Sequence, residues 1–462
     1  MRPADDRPNV ILINCDDLGY GDLGCYGSTV NKTPHLDRMA SEGMRLTDFY
    51  MSSPICSPSR GSMMTGCYPP RIGFDTFRNR EGERKAAVLF PGFPDGLAKE
   101  EITVADLLKR QGYATKLVGK WHCGDQPEFL PTAHGFDSYF GIPYSNDMGI
   151  QASNPDGTPL PLMEDERPIQ LQPDQRSITE RYVEHSVRFI RENRDEPFFL
   201  YLAHMHVHLP HYPPERFLRQ SINGPYGAAV ECIDWAAGAI LDELKRQGLD
   251  DNTLVIFTSD NGSRGDRGGS NRPLRGAKGT CWEGGQRVPC IARWPGKVPA
   301  GSTCDQTATA MDFLPTFTEL AGGRTPADRT IDGHDIRPLL LGDDGAATPY
   351  DAFFYYRMHQ LNAVRSGPWK LLVPAMEGPD GGLYNLVDDP GERNNLIHDH
   401  PDVVERLNGM LQQCREDLGD SRIGVEGANR RPVGHVENPV PLAYQDEDYP
   451  YIVAMYDLPD RG

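Results

Sequence analysis

Four short segments of the chain are apolar almost throughout, unlike the alternating pattern of a strand that has one face in solvent. These segments are Asn9–Asn14, Ala114–Val118, Pro197–Ala203 and Leu254–Thr258. Apolar runs of this length predict strands that are buried on both faces, as in a parallel sheet covered by helices.

Segments with the apolar spacing of helices lie between these strands. They are Thr33–Gly43, Val104–Gly112, Ile178–Asn193 and Gly227–Gly248. Gly248 can end the last helix, and Thr103 can cap the second. Strands that alternate with helices predict an α/β fold with a large, mostly parallel sheet sandwiched by helices.

The pattern changes towards the C-terminus, where Met311–Gly322 predicts a last helix of the large domain. The segments that follow predict a small antiparallel sheet and then a helix: Phe353–Tyr356, Ala363–Arg365, Trp369–Val373 and Asp402–Leu418. A chain of 462 residues exceeds one ordinary domain. We expect a large α/β domain at 1–348, a small α+β subdomain at 349–423 and a loop-rich tail at 424–462.

Composition limits the partners of the protein. Acidic residues outnumber basic ones by 66 to 47, and the resulting charge of −19 disfavours nucleic acid as a partner. An anionic substrate would therefore need a local cluster of Lys, Arg and His. Ten cysteines without CxxC spacing indicate neither a zinc framework nor a dense disulfide scaffold, although one or two disulfides fit the sequence.

The sequence predicts neither a membrane span nor an export signal. No apolar run has the length of a transmembrane helix. Met1–Arg7 is polar, and a predicted core strand begins two residues later. The protein is therefore expected to be cytoplasmic, or to be exported by a signal that this sequence lacks.

Polar motifs follow all four predicted strands. In chain order they are Asp16-Asp17, Lys120 with His122, the histidines 204, 206, 208 and 211, and Asp260-Asn261. Ligands of parallel α/β sheets bind beyond the carboxyl ends of the strands, so these motifs predict one active site.

The acidic motifs suggest a metal, although each alone is typical of a turn or a helix cap. Together they offer three carboxylates and an amide oxygen, which would repel one another without a cation. All-oxygen ligands favour calcium or magnesium over zinc. His204, His206 and His208 could share one face of a strand and bind zinc, but the oxygen ligands make that the weaker interpretation.

Cys56 opens the segment Cys56–Arg60 (CSPSR), which is followed by residues able to form a helix. A lone cysteine is usually a small buried hydrophobic residue, and Pro with Ser often forms a turn. The start of a helix, however, offers unpaired N–H groups that suit an anion. Lys278 lies in a Gly-rich stretch that, by composition alone, reads as a flexible surface loop.

The segment Cys56–Arg60, with Pro at the third position and Arg at the fifth, resembles the modification signal of the type I sulfatases, in which the cysteine becomes formylglycine. The resemblance runs from about Pro8 to about Leu396 and is nearest to the branch of arylsulfatase A and N-acetylgalactosamine-6-sulfatase. It implies an alkaline-phosphatase-like fold. Cys67 is a departure, because the family usually has Arg at that position.

The resemblance implies a function for each motif. The implied calcium ligands are Asp16, Asp17, Asp260, Asn261 and the modified Cys56. The implied catalytic residues are Cys56, Arg60, Lys120, His122, His208 and Lys278, and the implied substrate-binding residues are Ser145, Lys120, Lys278 and His208. In particular, His122 would assist the aldehyde hydrate, His208 would protonate the leaving oxygen, and Lys278 would bind the sulfate.

We therefore expect a sulfatase that hydrolyses carbohydrate sulfate monoesters with formylglycine and calcium. Its expected partners are a sulfated small molecule or glycan and, during maturation, a formylglycine-generating enzyme. The resemblance favours a periplasmic or secreted location over a cytoplasmic one.

Two alternatives stay open at this point. The first is a phosphate or phosphonate ester hydrolase of the same fold, which usually needs more positive charge and often a second metal. The second is a non-catalytic glycan-binding relative, which the intact nucleophile, metal ligands and lysines argue against.

Overall fold

The computed structural model describes residues 7–151, 154–374, 376 and 381–444. Within these residues the strands are β1 Asn9–Cys15, β2 Met44–Leu46, β3 Phe49–Tyr50, β4 Phe77–Arg78, β5 Arg84–Ala86, β6 Asp95–Gly96, β7 Ala114–Gly119, β8 Ser138–Gly141, β9 Pro161–Glu164, β10 Arg167–Leu171, β11 Phe198–Ala203, β12 Thr253–Ser259, β13 Cys290–Arg293, β14 Ser302–Cys304, β15 Ala308–Thr309, β16 Phe353–Arg357, β17 Gln360–Ser366, β18 Trp369–Leu372, β19 Gly382–Asn385 and β20 Gly434–His435. The α-helices are α1 Pro34–Ser41, α2 Cys56–Thr65, α3 Val104–Arg110, α4 Ile178–Glu192, α5 Glu215–Leu218, α6 Gly224–Gln247, α7 Glu283–Gln286, α8 Phe313–Leu320, α9 Arg337–Leu341 and α10 Pro401–Leu418.

One large sheet organises the chain. Its ten strands lie in the order β10-β9-β8-β7-β11-β1-β12-β13-β2-β14. The five strands from β8 to β12 in this order are parallel, and antiparallel pairings begin on either side of them, at β9 and β13. The four strands predicted from uniform apolar runs are neighbours in the parallel centre, which confirms the predicted fold class.

Helices cover both faces of this sheet. The four central residues of β1, from Val10 to Ile13, show why such a strand is apolar on both sides. Val10 and Leu12 belong to the apolar cluster that includes residues of α2, α3 and α8. Ile11 and Ile13 point to the other face and pack with residues of α1, α4 and α6. Because successive side chains of a strand alternate between faces, a sheet with two cores makes the middle of the strand apolar, and the polar residues Asn9 and Asn14 lie towards its two ends.

A second, antiparallel sheet of four strands, β16-β17-β18-β19, packs with α10 around a third apolar cluster. The predicted small sheet and helix are therefore present, with β19 as a fourth strand that the pattern did not predict. In the predicted tail, β20 pairs with β6. Residues 445–462 of that tail lie outside the described residues, and the domain boundaries at 348 and 423 stay predictions.

The structure also bears on the cysteines. All ten are free, so none of the disulfides that the sequence left open is present. Cys67, where the resemblance breaks, is buried, and the Arg431 guanidinium donates to its Sγ at 3.2 Å while pairing with Glu101 at 2.6 Å. A cation from the tail therefore approaches this position. Among the described residues, no helix is both long and apolar enough to cross a membrane.

The register of the central strands places their carboxyl ends together. Cys15 pairs with Ser259, and Gly119 pairs with Ala203. Gly119 has a φ of 121°, and a Cβ atom there would lie 1.9 Å from the Ala203 carbonyl oxygen. Only glycine fits at this position, because any side chain would collide with the backbone of β11. The close approach of β7 and β11 therefore depends on Gly119.

Candidate active site

The predicted site residues meet at the carboxyl edge of the four central strands. The buried members of this group are Asp16, Asp17, Cys56, Arg60, Lys120, His122, Ser145, Asp260 and Asn261. His208 and Lys278 are the exceptions, with side chains 12% and 16% exposed. Of the four residues predicted to bind the substrate, these two therefore reach solvent, whereas Lys120 and Ser145 are buried.

Cys56 is the first residue of α2, a helix whose residues are all buried. Its Sγ lies 3.7 Å from Asp16 Oδ1 and 3.3 Å from Lys278 Nζ. The N-terminus of a helix favours negative charge, and two lysines lie nearby, so this position suits an anion. Burial nevertheless raises the pKa of the Cys56 thiol to about 12. The unmodified side chain is therefore a neutral thiol and a poor nucleophile at physiological pH.

Three cations compensate the three carboxylates. Lys120 Nζ contacts Asp16 Oδ2, and Lys278 Nζ lies 2.6 Å from Asp17 Oδ1. The third cation, Arg60, donates from Nε to Asp260 Oδ2 at 2.8 Å. Each carboxylate is therefore paired with a cation of the protein itself, although repulsion between Asp16 and Asp260 remains.

The carboxylates nevertheless differ in their protonation. Burial would raise the pKa of Asp16, but Lys120 and the other nearby cations hold it well below the usual range. Burial and the neighbouring Asp16 raise the pKa of Asp260 to about 7. Asp16 is therefore ionised at neutral pH, whereas Asp260 is partly protonated there in the absence of a further cation.

The donor set fits a hard divalent cation. Asp17 Oδ2 and Asn261 Oδ1 are buried and have no hydrogen-bond partner among the described residues. Buried oxygens are normally satisfied, and these two belong to side chains that are joined by a hydrogen bond from Asn261 Nδ2 to Asp17 Oδ1 at 2.8 Å, so both suit one bound cation. Ligand atoms of Asp16, Asp17, Cys56 and His208 also lie within 4.8 Å of one another. Carboxylate and amide oxygens favour calcium or magnesium.

The three histidines considered for zinc do not converge. The group of potential ligands found in the described residues contains His208 but neither His204 nor His206. Both ring nitrogens of His204 are buried without a hydrogen-bond partner there. Burial lowers the pKa of His204 to about 3 and that of His206 to about 4, so both rings are neutral core residues.

His208 is oriented by neighbours that sequence reasoning missed. Its Nδ1 lies 2.6 Å from the Leu209 carbonyl oxygen and 3.1 Å from Asn146 Oδ1. These acceptors place the proton on Nδ1, which leaves Nε2 to face Asp17 Oδ2 at 3.7 Å. Asn146 is buried beside Ser145, and that adjacency was the only signal for it in the sequence.

Ser145 and His122 complete the site. Ser145 Oγ accepts a hydrogen bond from Lys120 Nζ at 3.3 Å. His122 donates from Nε2 to the Leu89 carbonyl oxygen at 3.0 Å, so Nδ1 carries the lone pair. Burial, reinforced by Lys120, lowers the pKa of His122 well below its usual value and keeps the ring neutral.

Backbone strain is concentrated at the same strand ends. Asp17 has a φ of 61° and His122 a φ of 63°. Residues other than glycine rarely adopt this left-handed conformation, which costs free energy unless surrounding contacts enforce it. Both residues follow strands of the parallel centre, so the fold holds their side chains in orientations that a relaxed chain would not.

The small sheet supports the loop that carries Lys278. Lys370 of β18 is fully buried, and its Nζ donates to the Cys281 carbonyl oxygen at 2.8 Å. It also pairs with Glu283 at 2.9 Å and Glu392 at 2.8 Å. Glu392 in turn accepts from the Glu283 backbone N–H at 2.8 Å. These contacts fix the chain within a few residues of Lys278.

Comparison with known proteins gives one consistent family. The model of the sulfatase family matches residues 8–323, and that of the C-terminal part of N-sulphoglucosamine sulphohydrolase matches residues 277–417. The chain is 41% identical to N-acetylgalactosamine-6-sulfatase of Rattus norvegicus, over 90% of this chain and 87% of that protein. It is 35% identical to steryl-sulfatase of Mus musculus, over 90% and 83%. The solved structure of Ps i-CgsB in complex with k-i-k-neocarrahexaose superposes with a TM-score of 0.78 at 27% identity, covering 93% of this chain and 95% of that one.

The Lys370 contacts generate a prediction. Lys370→Met should lower the free energy of unfolding by about 3–5 kcal/mol, because two buried carboxylates lose their cation. If the contacts also position Lys278, the folded variant should bind inorganic sulfate several-fold more weakly. Denaturant unfolding and calorimetric titration measure the two effects. Lys297→Met, at an exposed site, is the matched control, and unchanged sulfate affinity in folded Lys370→Met would leave the network a purely structural role.

Proposed function

The chain belongs to the sulfatase family and is a sulfuric ester hydrolase, and on that premise we propose that it removes sulfate from carbohydrate monoesters with a formylglycine made from Cys56 and a bound calcium ion. The observation that carries the proposal is the setting of Cys56, at the start of a buried helix between Lys278 and Asp16. A neutral thiol in that place has little use as a nucleophile. An aldehyde there would supply a hydrated carbon whose hydroxyl can attack sulfur.

The cations of the site would bind the sulfuryl group. Lys278 Nζ lies 3.3 Å from Cys56 Sγ, and Lys120 Nζ lies 3.3 Å from Ser145 Oγ. A sulfate placed beside residue 56 would meet both ammonium groups and the Ser145 hydroxyl. These donors would neutralise the charge that develops on the sulfuryl oxygens, and burial strengthens the effect.

The calcium proposal explains the charge of the site. Asp16, Asp17, Asp260, Asn261 and the modified residue 56 would hold the ion. Three carboxylates already match three cations in the protein. A dication would therefore leave a net positive site, which favours an anionic ester in a chain of charge −19. It would also satisfy the orphaned oxygens of Asp17 and Asn261.

The two histidines have separate roles in this proposal. His208 is partly exposed, and in its imidazolium form it would donate the Nε2 proton to the leaving oxygen as the S–O bond breaks, because Nδ1 is engaged by the Leu209 carbonyl oxygen. His122 is buried and neutral, and its free Nδ1 would accept a proton from residue 56 when sulfate is expelled. Arg60 would hold Asp260 and orient the metal ligands, since its Nε donates to that carboxylate at 2.8 Å.

For the substrate and the cellular location, the proposal extends only to broad classes. N-acetylgalactosamine-6-sulfatase and the structure with neocarrahexaose are named for sugars, whereas steryl-sulfatase is named for sterols. We favour a carbohydrate sulfate, a periplasmic or secreted location and maturation by a formylglycine-generating enzyme. The phosphate-ester alternative is weaker, because the described residues offer ligands for one metal only.

The modification of Cys56 is tested by mass and activity. Protein made together with a formylglycine-generating enzyme should be lighter than the encoded chain by about 18 Da, the change from thiol to aldehyde. Release of sulfate from nitrophenyl sulfate should track the modified fraction. Cys56→Ala should be inactive, whereas Cys232→Ala, which removes a buried thiol of α6, should keep activity. Full activity in Cys56→Ala would refute the proposed nucleophile.

The metal is tested by stability as well as by activity. Calcium at about a hundredfold its Kd should add about 2.7 kcal/mol to the free energy of unfolding, and chelation should remove it. Asp260→Ala should lose most of this calcium-dependent stabilisation, while Asp305→Ala, at an exposed position, should retain it. Thermal unfolding with and without chelator measures the effect, and an unaltered calcium response in Asp260→Ala would remove that ligand.

The role of His208 is tested with two leaving groups. A sugar alcohol is a much weaker acid than a nitrophenol, so only its departure depends on a proton donor. His208→Ala should therefore reduce kcat/KM for a sugar sulfate by about 10²–10⁴-fold and that for nitrophenyl sulfate far less. Lys278→Ala should reduce both about equally, because it acts on the sulfuryl oxygens. Equal losses in His208→Ala would assign the acid to another residue.

A further inference from the structure

A pocket of about 510 Å³ lies beside the proposed catalytic centre. One wall comes from residues 79–81, 90, 91 and 93, and the other from residues 148, 154 and 156–158. The first wall is joined to the centre at Leu89, whose carbonyl oxygen accepts from His122 at 3.0 Å. The second is joined at Asn146, which lies 3.1 Å from His208. Each wall thus contains a residue, Phe90 or Met148, within two positions of a contact to a proposed catalytic histidine, so the pocket lies near both histidines.

The pocket is lined by both aromatic and polar side chains, a combination that suits a sugar. Phe90 presents an aromatic ring that is 44% exposed, and Phe93 lies beneath the same surface. The polar side chains around them include Asn79, Asn154 and Thr158. An aromatic face with amides and hydroxyls at its edge matches the apolar face and the hydroxyl rim of a sugar ring. A sterol would leave these polar groups without partners.

The charges of the pocket disfavour an anionic sugar as the neighbour of the sulfated one. Arg80 is the cation of its lining, and its Nη2 already donates to the Pro91 carbonyl oxygen at 2.8 Å. Glu81 and Asp156 add two carboxylates, so the lining carries a net charge of −1. The whole chain carries −19. A uronate or a second sulfate in the pocket would meet unfavourable potential, whereas an uncharged sugar would not.

We propose that this pocket binds an uncharged sugar joined to the sulfated one, so that the substrate is an oligosaccharide in which sulfated residues have neutral neighbours. The inference rests on the proposed sulfatase function for its catalytic readout. Binding in the pocket, however, does not require turnover, and the two can be measured apart.

The catalytic test compares three substrates that carry the same sulfated sugar: the monosaccharide, an oligosaccharide with neutral neighbours, and one sulfated on every residue. Wild-type kcat/KM should be highest for the neutral-neighbour oligosaccharide. Phe90→Ala should lower that value by about tenfold and leave the monosaccharide and nitrophenyl sulfate unchanged, since only the oligosaccharide would lose the contact with the aromatic ring. Val387→Ala, at a site that is 73% exposed in the turn after β19, is the matched control.

The binding test uses the desulfated neutral oligosaccharide and the Cys56→Ala protein, which performs no chemistry. Calorimetric titration should detect binding that Phe90→Ala, added to Cys56→Ala, weakens by about tenfold. Absence of binding, or a preference for the fully sulfated oligosaccharide, would overturn the pocket proposal. Inactivity of wild type on every sulfate ester, with neutral-sugar binding intact, would instead refute the proposed function and leave the pocket proposal supported.

Discussion

The balance of three buried carboxylates by two buried cations, Arg60 and Lys120, and the partly exposed Lys278 is the interaction on which the site depends. Asp16, Asp17 and Asp260 lie in a region with little access to water, where an unpaired charge is very costly. Each is paired with a basic side chain from another segment, so neither set is stable without the other. Buried ion pairs add little stability compared with apolar packing. We therefore attribute these ion pairs to the function of the site, because they create an electrostatic field around residue 56 before a substrate binds.

The rest of the fold provides the geometry for that balance. Parallel pairing brings four strand ends to one edge, and Gly119 allows two of the strands to approach closely. The small sheet contributes Lys370, which fixes the chain next to Lys278 from a position 92 residues further along the sequence. The cations that pair with the three carboxylates are thus positioned by elements from different parts of the chain.

Sequence reasoning located the centre of the fold and the candidate residues, because both have local signatures. Uniform apolar runs identified the four central strands, and each is followed directly by polar residues. The outer strands escaped notice, since β2 and β14 have three residues each and no recognisable period. Asn146, the Lys370 contacts and the pairing of carboxylates with cations were missed for another reason. They arise from segments far apart in the chain, whose proximity only the folded topology creates.

Cys56 lies in a buried helix, with 2% of its surface exposed. No other protein can therefore reach its sulfur once α2 has packed beneath the loops that carry Lys120 and Lys278. Any enzyme that alters this side chain has to act on a chain that is not yet folded, and it competes in time with folding itself. A molecule that folds first keeps its thiol permanently. If activity needs the proposed formylglycine, the yield of active protein therefore depends on the rate of modification relative to the rate of folding, and extra stability of the folded state cannot improve it.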